Sequence, residues 1–131
     1  MSTVHCNTIQ TSSGGAVTLT KQQAAKAWMN FNGTGTVAAR DSFNATLTDN
    51  GSGDYTLNFI NAMSNANYAV VGATSGNSAN GNPFTFELPP HYNDGVDAQV
   101  AGSVRVYSVL TGSNSKQDVT KVHVTVHGDL A

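Results

Sequence analysis

Apolar and polar residues alternate with a period of two along most of this chain, and a face that recurs at every second residue is buried only as a β-strand. The pattern begins at Lys26, with Ala27, Met29 and Phe31 on one face and Trp28 and Asn30 on the other. After the turn Asn32-Gly33-Thr34-Gly35, the run 36–48 places Phe43, Ala45 and Leu47 on a common face, and Tyr55, Leu57 and Phe59 repeat it beyond Asn50-Gly51-Ser52-Gly53. Asn-Gly between alternating runs supplies the positive φ angles of a tight turn, so these two runs are expected to pair as a hairpin. Residues 68–73, 83–88 and 99–110 read as further strands, with a bulge or bend expected near Gly102. The cleanest alternation is the last, where Val122, Val124 and Val126 oppose Lys121, His123, Thr125 and His127.

About seven or eight strands at this spacing define an all-β fold, an antiparallel β-sandwich of jelly-roll-like layering. Composition agrees. Only 11% of the 131 residues are charged, against about 25% in ordinary soluble domains, and Ser, Thr, Asn and Gly take their place. A disordered chain of low hydrophobicity carries high net charge and few aromatics, whereas here the net charge is -2 and Phe, Tyr and Trp make up 8% of the chain. Glu87 is the sole glutamate, which leaves little to solvate a long helix. Residues 25–131 are therefore expected to form one β-domain. The run 8–20 offers only Ile9, Val17 and Leu19 as sizeable apolar anchors, and residues 1–24 are expected to form an extended arm for assembly or attachment.

No apolar run approaches the roughly 18 residues of a membrane-spanning helix, so no membrane insertion is expected. The segment MSTVHCNTIQ lacks the basic and apolar regions of a signal peptide. Without basic clusters there is no electrostatic footprint for nucleic acid. Cys6 is the sole cysteine and reads as an incidental thiol.

Candidate chemistry is sparse. No Gly-x-Ser-x-Gly elbow, His-Glu-x-x-His pair or Walker loop occurs. His91 with Asp94 and Asp97 is the one His/carboxylate cluster, and a polar loop accounts for it more simply than a general base, so no catalytic residue is assigned. His123 and His127 stand about 13 Å apart on a strand rising about 3.3 Å per residue, too far to share one ion. They would hold a metal only by meeting their own copies across a three-fold axis, and a solvated polar face is the simpler reading. The stretch 49–54 looks like a calcium loop, but Ile60 occupies the position where an EF-hand needs a bidentate glutamate. No cofactor is expected. Two loops carry Asn77, Asn80, Asn82, His91, Tyr92, Asn93 and Asp94, a mixture of amides, small residues and an aromatic that suits adaptable recognition, sugars included.

Several strings of the sequence resemble bacteriophage tail fibre proteins. They are Thr8-Ile9-Gln10, Ser12-Ser13-Gly14-Gly15-Ala16-Val17-Thr18-Leu19-Thr20-Lys21-Gln22, Ala24-Ala25-Lys26-Ala27-Trp28-Met29-Asn30-Phe31-Asn32-Gly33-Thr34-Gly35-Thr36-Val37, and Arg40-Asp41-Ser42-Phe43-Asn44. Thr48-Asp49-Asn50-Gly51-Ser52-Gly53-Asp54-Tyr55-Thr56-Leu57-Asn58-Phe59 and Ala62-Met63-Ser64-Asn65-Ala66-Asn67-Tyr68-Ala69-Val70 follow, and the end, Val122-His123-Val124-Thr125-Val126-His127-Gly128-Asp129-Leu130-Ala131, resembles the terminus of the same proteins. The resemblance implies a virion structural protein of a tailed phage, β-rich and homotrimeric. It would be made in the host cytoplasm, displayed on the particle exterior and joined to other virion proteins through the N-terminal arm. Its loops would attach without enzymatic action to a host-surface glycan or protein. From about residue 72 to 118 the sequence departs from the family pattern, so no binding residue carries over. Tail fibres are long proteins, and a chain starting just before the matching segment leaves a second role open, a head fibre or capsid decoration protein on the same β-module. A glycan-cleaving enzyme, the third reading, would have to use His91, Asp94 and Asp97.

Overall fold

A computed structural model describes residues 24–76, 83–89 and 97–131. The described residues form ten strands: β1 (Ala27–Asn32), β2 (Ala38–Phe43), β3 (Ala45–Gly51), β4 (Asp54–Phe59), β5 (Ala69–Thr74), β6 (Phe84–Glu87), β7 (Gln99–Val100), β8 (Ser103–Leu110), β9 (Ser115–Lys116) and β10 (Val122–His127). One antiparallel sheet has the order β2-β1-β10-β5 and the other β3-β4-β8-β6, with β7 and β9 also pairing with β8. This is the all-β sandwich that the alternation predicts. Among the described residues no helix is long and apolar enough to cross a membrane.

The core lies where the two periodic faces meet. Ala27, Met29 and Phe31 of β1 and Val122, Val124 and Val126 of β10 pack against Tyr55, Leu57 and Phe59 of β4 and Val104 and Val106 of β8. The Phe31 ring meets Tyr55 edge to face, with centroids 4.8 Å apart, and so ties one sheet to the other. Phe59 and Tyr68 make a second such contact at 5.6 Å. The aromatic face of Phe86 on β6 lies directly against the backbone of Gly72 on β5, where any side chain would overlap the ring.

Three local expectations are corrected. The run 36–48 is not one strand but two, β2 and β3, in different sheets. Asn44 separates them with a φ of 53°, a left-handed conformation that asparagine tolerates better than most residues. The break rotates Phe43 away from Ala45, so Phe43 sits on the outer face of the first sheet, 53% exposed. The hairpin at 50–53 forms, but Gly51 still belongs to β3, beyond a register shift after Asp49, and the chain reverses over Ser52 and Gly53. Residues 99–110 are not one strand but two: the bend expected near Gly102 is a full reversal, with Val100 paired to Ser103 and β7 folded back on β8 through a turn at Ala101-Gly102. Between β8 and β10 the polar stretch 111–118 contributes a short strand of its own, with Ser115 and Lys116 paired to Leu110 and Val109.

Strand β2 is unlike the other edges. All six of its residues are exposed, so neither of its faces is covered and β1 alone holds it. Its pairing with β1 shifts register between Asn30 and Phe31, a bulge that leaves Arg40 as the extra residue.

Candidate recognition surfaces

Strand polarity decides which connections share an end of the sandwich. Phe31 pairs with Val122 and Val122 with Thr74, while Phe84 pairs with Leu110 and Asp54 with Gly51. The connections after β1, β3, β5 and β8 therefore leave one end. The Asn44 corner, residues 60–68, the 101–102 turn and residues 128–131 occupy the other. The loop candidates Asn77, Asn80, Asn82, His91, Tyr92, Asn93 and Asp94 lie outside the described residues. Their anchors do not: Pro83 precedes β6 at the end where Phe84 pairs with Leu110, whereas Glu87 pairs with Tyr107 and Gln99 rejoins the same edge of β8 opposite Val104, so the anchors of the second loop lie along the side edge of the sheet. Ser75 fixes one anchor, its N–H donating to Lys121 O at 2.9 Å.

At the first end a polar network holds the connections together. Asp118 Oδ1 accepts from the Tyr55 hydroxyl at 2.9 Å and from the Gly53 N–H at 2.7 Å. Burial, and then the Asp118 carboxylate, push the Tyr55 hydroxyl well above the usual phenol range. Gly53 has a φ of 63° and lies against the backbone of Ser108 and Gln117, leaving no room for a Cβ. Beside it, the buried Asp54 carboxylate receives Arg105 through both Nε and Nη2 at 2.8 Å, and Lys116 Nζ at 2.6 Å. Burial alone would raise the Asp54 carboxyl, but hydrogen bonds from and the charges of Arg105 and Lys116 outweigh it and hold the group below the ordinary carboxylate range. Lys116 also stands 4.3 Å from the Tyr107 ring centroid. Asp54 is thus a structural anion, and the calcium-loop likeness of 49–54 resolves into a hairpin with an ion cluster beside it.

At the other end Tyr68 does similar work. Its hydroxyl lies 2.7 Å from Ser103 O and 3.1 Å from Val100 O, and burial pushes its pKa up to about 12. Gln99 Nε2 donates back to Tyr68 O at 2.9 Å.

His123 and His127 both sit on the outer face of β10, opposite Asn30 and Ala69 respectively. No group of three or more His, Cys, Asp or Glu placed to hold a metal occurs among the described residues. The same face carries a feature that periodicity alone did not assemble. Phe43 pairs with Trp28, Trp28 with Thr125 and Thr125 with Val71, so one row crosses all four strands. The adjacent row is Asp41, Asn30, His123 and Ala73.

The sequence matches no protein-family model, and no curated protein is significantly similar to it. Among solved structures, the chain is similar to the phiAB6 tailspike, crystallised in complex with three-repeated oligosaccharides of Acinetobacter baumannii surface polysaccharide. The TM-score is 0.49 at 12% identity, over 98% of this chain and 30% of that one. The present chain thus spans under a third of that protein's length, and a likeness this weak transfers no role.

Proposed function

We propose that this chain is a structural module of a tailed-phage virion that attaches the particle to the host-cell surface without enzymatic action. The observation that carries the reading is the ordered resemblance to tail fibre proteins, which strengthens along 24–37 and closes on a similar terminus at 122–131. The sandwich supports it in a limited way: a rigid two-layer core with connections gathered at both ends is a scaffold on which loops contact a partner while the core stays fixed. In this reading three copies associate, and residues 1–24 join the module to its neighbours. Several weak sites on one particle then strengthen attachment by about 10² to 10⁴ through effective concentration.

Purified protein added before infection tests the proposal. Occupation of host receptors lowers phage adsorption in proportion to the protein added. Unchanged adsorption, together with density for the chain on the capsid shell in a virion reconstruction, would favour the decoration role instead. Shortening of host polysaccharide by the purified protein would contradict the non-enzymatic part, and alanine at His91, Asp94 and Asp97 would show whether those residues carry the cleavage.

A further inference from the structure

The two sheets end in the edge strands β2, β5, β3 and β6, and all of these but β5 are blunted against further pairing. Strand β2 carries Arg40, Asp41 and a bulge, β3 carries Asp49 and a register shift, and β6 is four residues long, carries Glu87 and is flanked by Pro83 and Pro89. Strand β5 has none of these devices: Ala69-Val70-Val71-Gly72-Ala73-Thr74 holds no charge and no proline and pairs with β10 without a shift. The Ser75 N–H donates to Lys121 O, so Ala73, Val71 and Ala69 also turn their backbone groups to β10, while Thr74, Gly72 and Val70 turn theirs outward. Among the described residues nothing takes up those outward N–H and C=O groups. The core is also thinly covered along this rim, where Val70 on β5 and Phe84, Phe86 and Leu88 on and after β6 are only half-buried.

We propose that residues 16–20 of the same chain add to the free edge of β5 as an antiparallel fifth strand of the β2-β1-β10-β5 sheet. The residues of such a strand that lie opposite Val70, Gly72 and Thr74 aim their own N–H and C=O groups at them and turn their side chains to the inner face. An occupant therefore needs large apolar residues at those alternate positions and uncharged ones between. Ala16-Val17-Thr18-Leu19-Thr20 supplies Val17 and Leu19 in that pattern, whereas 77–82 and 90–96 hold no two large aliphatic residues at alternate positions. Chain direction fits as well. Strand β5 runs away from the end at which Ala69 lies opposite His127, so an antiparallel strand beyond it runs back toward that end. Strand β1 starts there, with Ala27 opposite Val126 and the Lys26 N–H donating to Val126 O at 2.7 Å. From β1 to a strand beyond β5 is three strand spacings of about 4.8 Å, about 14 Å in all, and residues 21–26 reach up to about 20 Å. Residues 1–15 remain for joining the module to its neighbours, so the added strand goes beyond the adhesion reading and does not depend on it.

Amide hydrogen exchange on the full chain, read residue by residue by NMR, tests the added strand. The amides of Val70, Gly72 and Thr74 are expected to be protected, as are those of Val71 and Ala73, which face β10. Leu19→Pro removes a backbone N–H aimed at β5, and Val17→Asp sets a charge against the apolar rim. Each is expected to speed exchange at Val70, Gly72 and Thr74 by about tenfold or more and to leave Val71, Ala73 and Val124 as they are. Unprotected exchange at those three amides in the parent chain would overturn the proposal. So would protection that survives both substitutions, since another segment would then cover the edge. A fall in particle mass in either variant, read by light scattering, would assign the strand to a neighbouring copy and overturn docking within one chain.

Discussion

Asn44 holds Asn61 from both sides: its Oδ1 accepts the Asn61 N–H at 2.7 Å, while its Nδ2 donates to the Asn61 carbonyl at 3.0 Å. The same Nδ2 reaches Lys26 O at 2.9 Å. One buried amide therefore fixes the start of β1, the end of β4 and the corner where the chain changes sheets. Its two contributions separate by substitution. Asn44→Gly keeps the φ of 53° accessible and loses the hydrogen bonds, with an expected cost of about 2 kcal/mol. Asn44→Ala loses both, and denaturant unfolding should place it about 1–2 kcal/mol below the glycine variant. Equal stability of the two would show that the left-handed backbone contributes nothing.

Asp54 makes stability depend on acid. Its folded-state pKa is lowered, so its contribution is complete above the ordinary carboxylate value of about 3.9 and disappears as pH falls through the folded value. Asp54→Asn should cost about 1.5–3 kcal/mol at neutral pH and flatten the stability profile below pH about 4. The cost stays moderate because Arg105 and Lys116 both reach solvent. A variant whose acid profile matches the parent would mean that another carboxylate governs it.

Ser108 is fully buried on the inner face of β8, and its hydroxyl has no hydrogen-bond partner among the described residues. Removing an unsatisfied hydroxyl removes a desolvation cost, so Ser108→Ala is expected to stabilise the domain by about 1 kcal/mol. Differential scanning calorimetry reads this as a raised midpoint, and a lowered one would indicate a buried water at that position.

Gly72 and Phe86 form a contact in which neither residue changes alone without loss. A Cβ on Gly72 overlaps the Phe86 ring, so Gly72→Ala should destabilise by about 1–3 kcal/mol through overpacking. Phe86→Leu in the same chain should recover part of that loss, and a double-mutant cycle measures the coupling. Strict additivity would rule out the direct clash.

Local rhythm made the fold class legible. Period-two runs at Ala27-Met29-Phe31, Tyr55-Leu57-Phe59 and Val122-Val124-Val126 became core strands on the expected faces, because burial of alternate residues is all such a run needs. Asn44 defeated the same reasoning. Phe43 and Ala45 keep the alternation across the break, and only a single positive φ sends them to different sheets. The aromatic row was legible in part. Trp28 reads as facing away from the core, but its partners Phe43, Thr125 and Val71 come from three other strands, two of them far along the sequence. Which strands become neighbours depends on long-range pairing that no local window contains.

The pairing of the first and last described strands governs how the domain bears a load. Ala27 faces Val126 across an antiparallel ladder, so the chain enters β1 and leaves β10 at the same end of the sandwich. Tension between those two points would unzip the ladder one residue pair at a time from Ala27 and Val126, not shear all its hydrogen bonds together. The sandwich is therefore mechanically a pendant, weak as a link in a stressed chain. Tethered at that end, it leaves the connections of the opposite end facing outward.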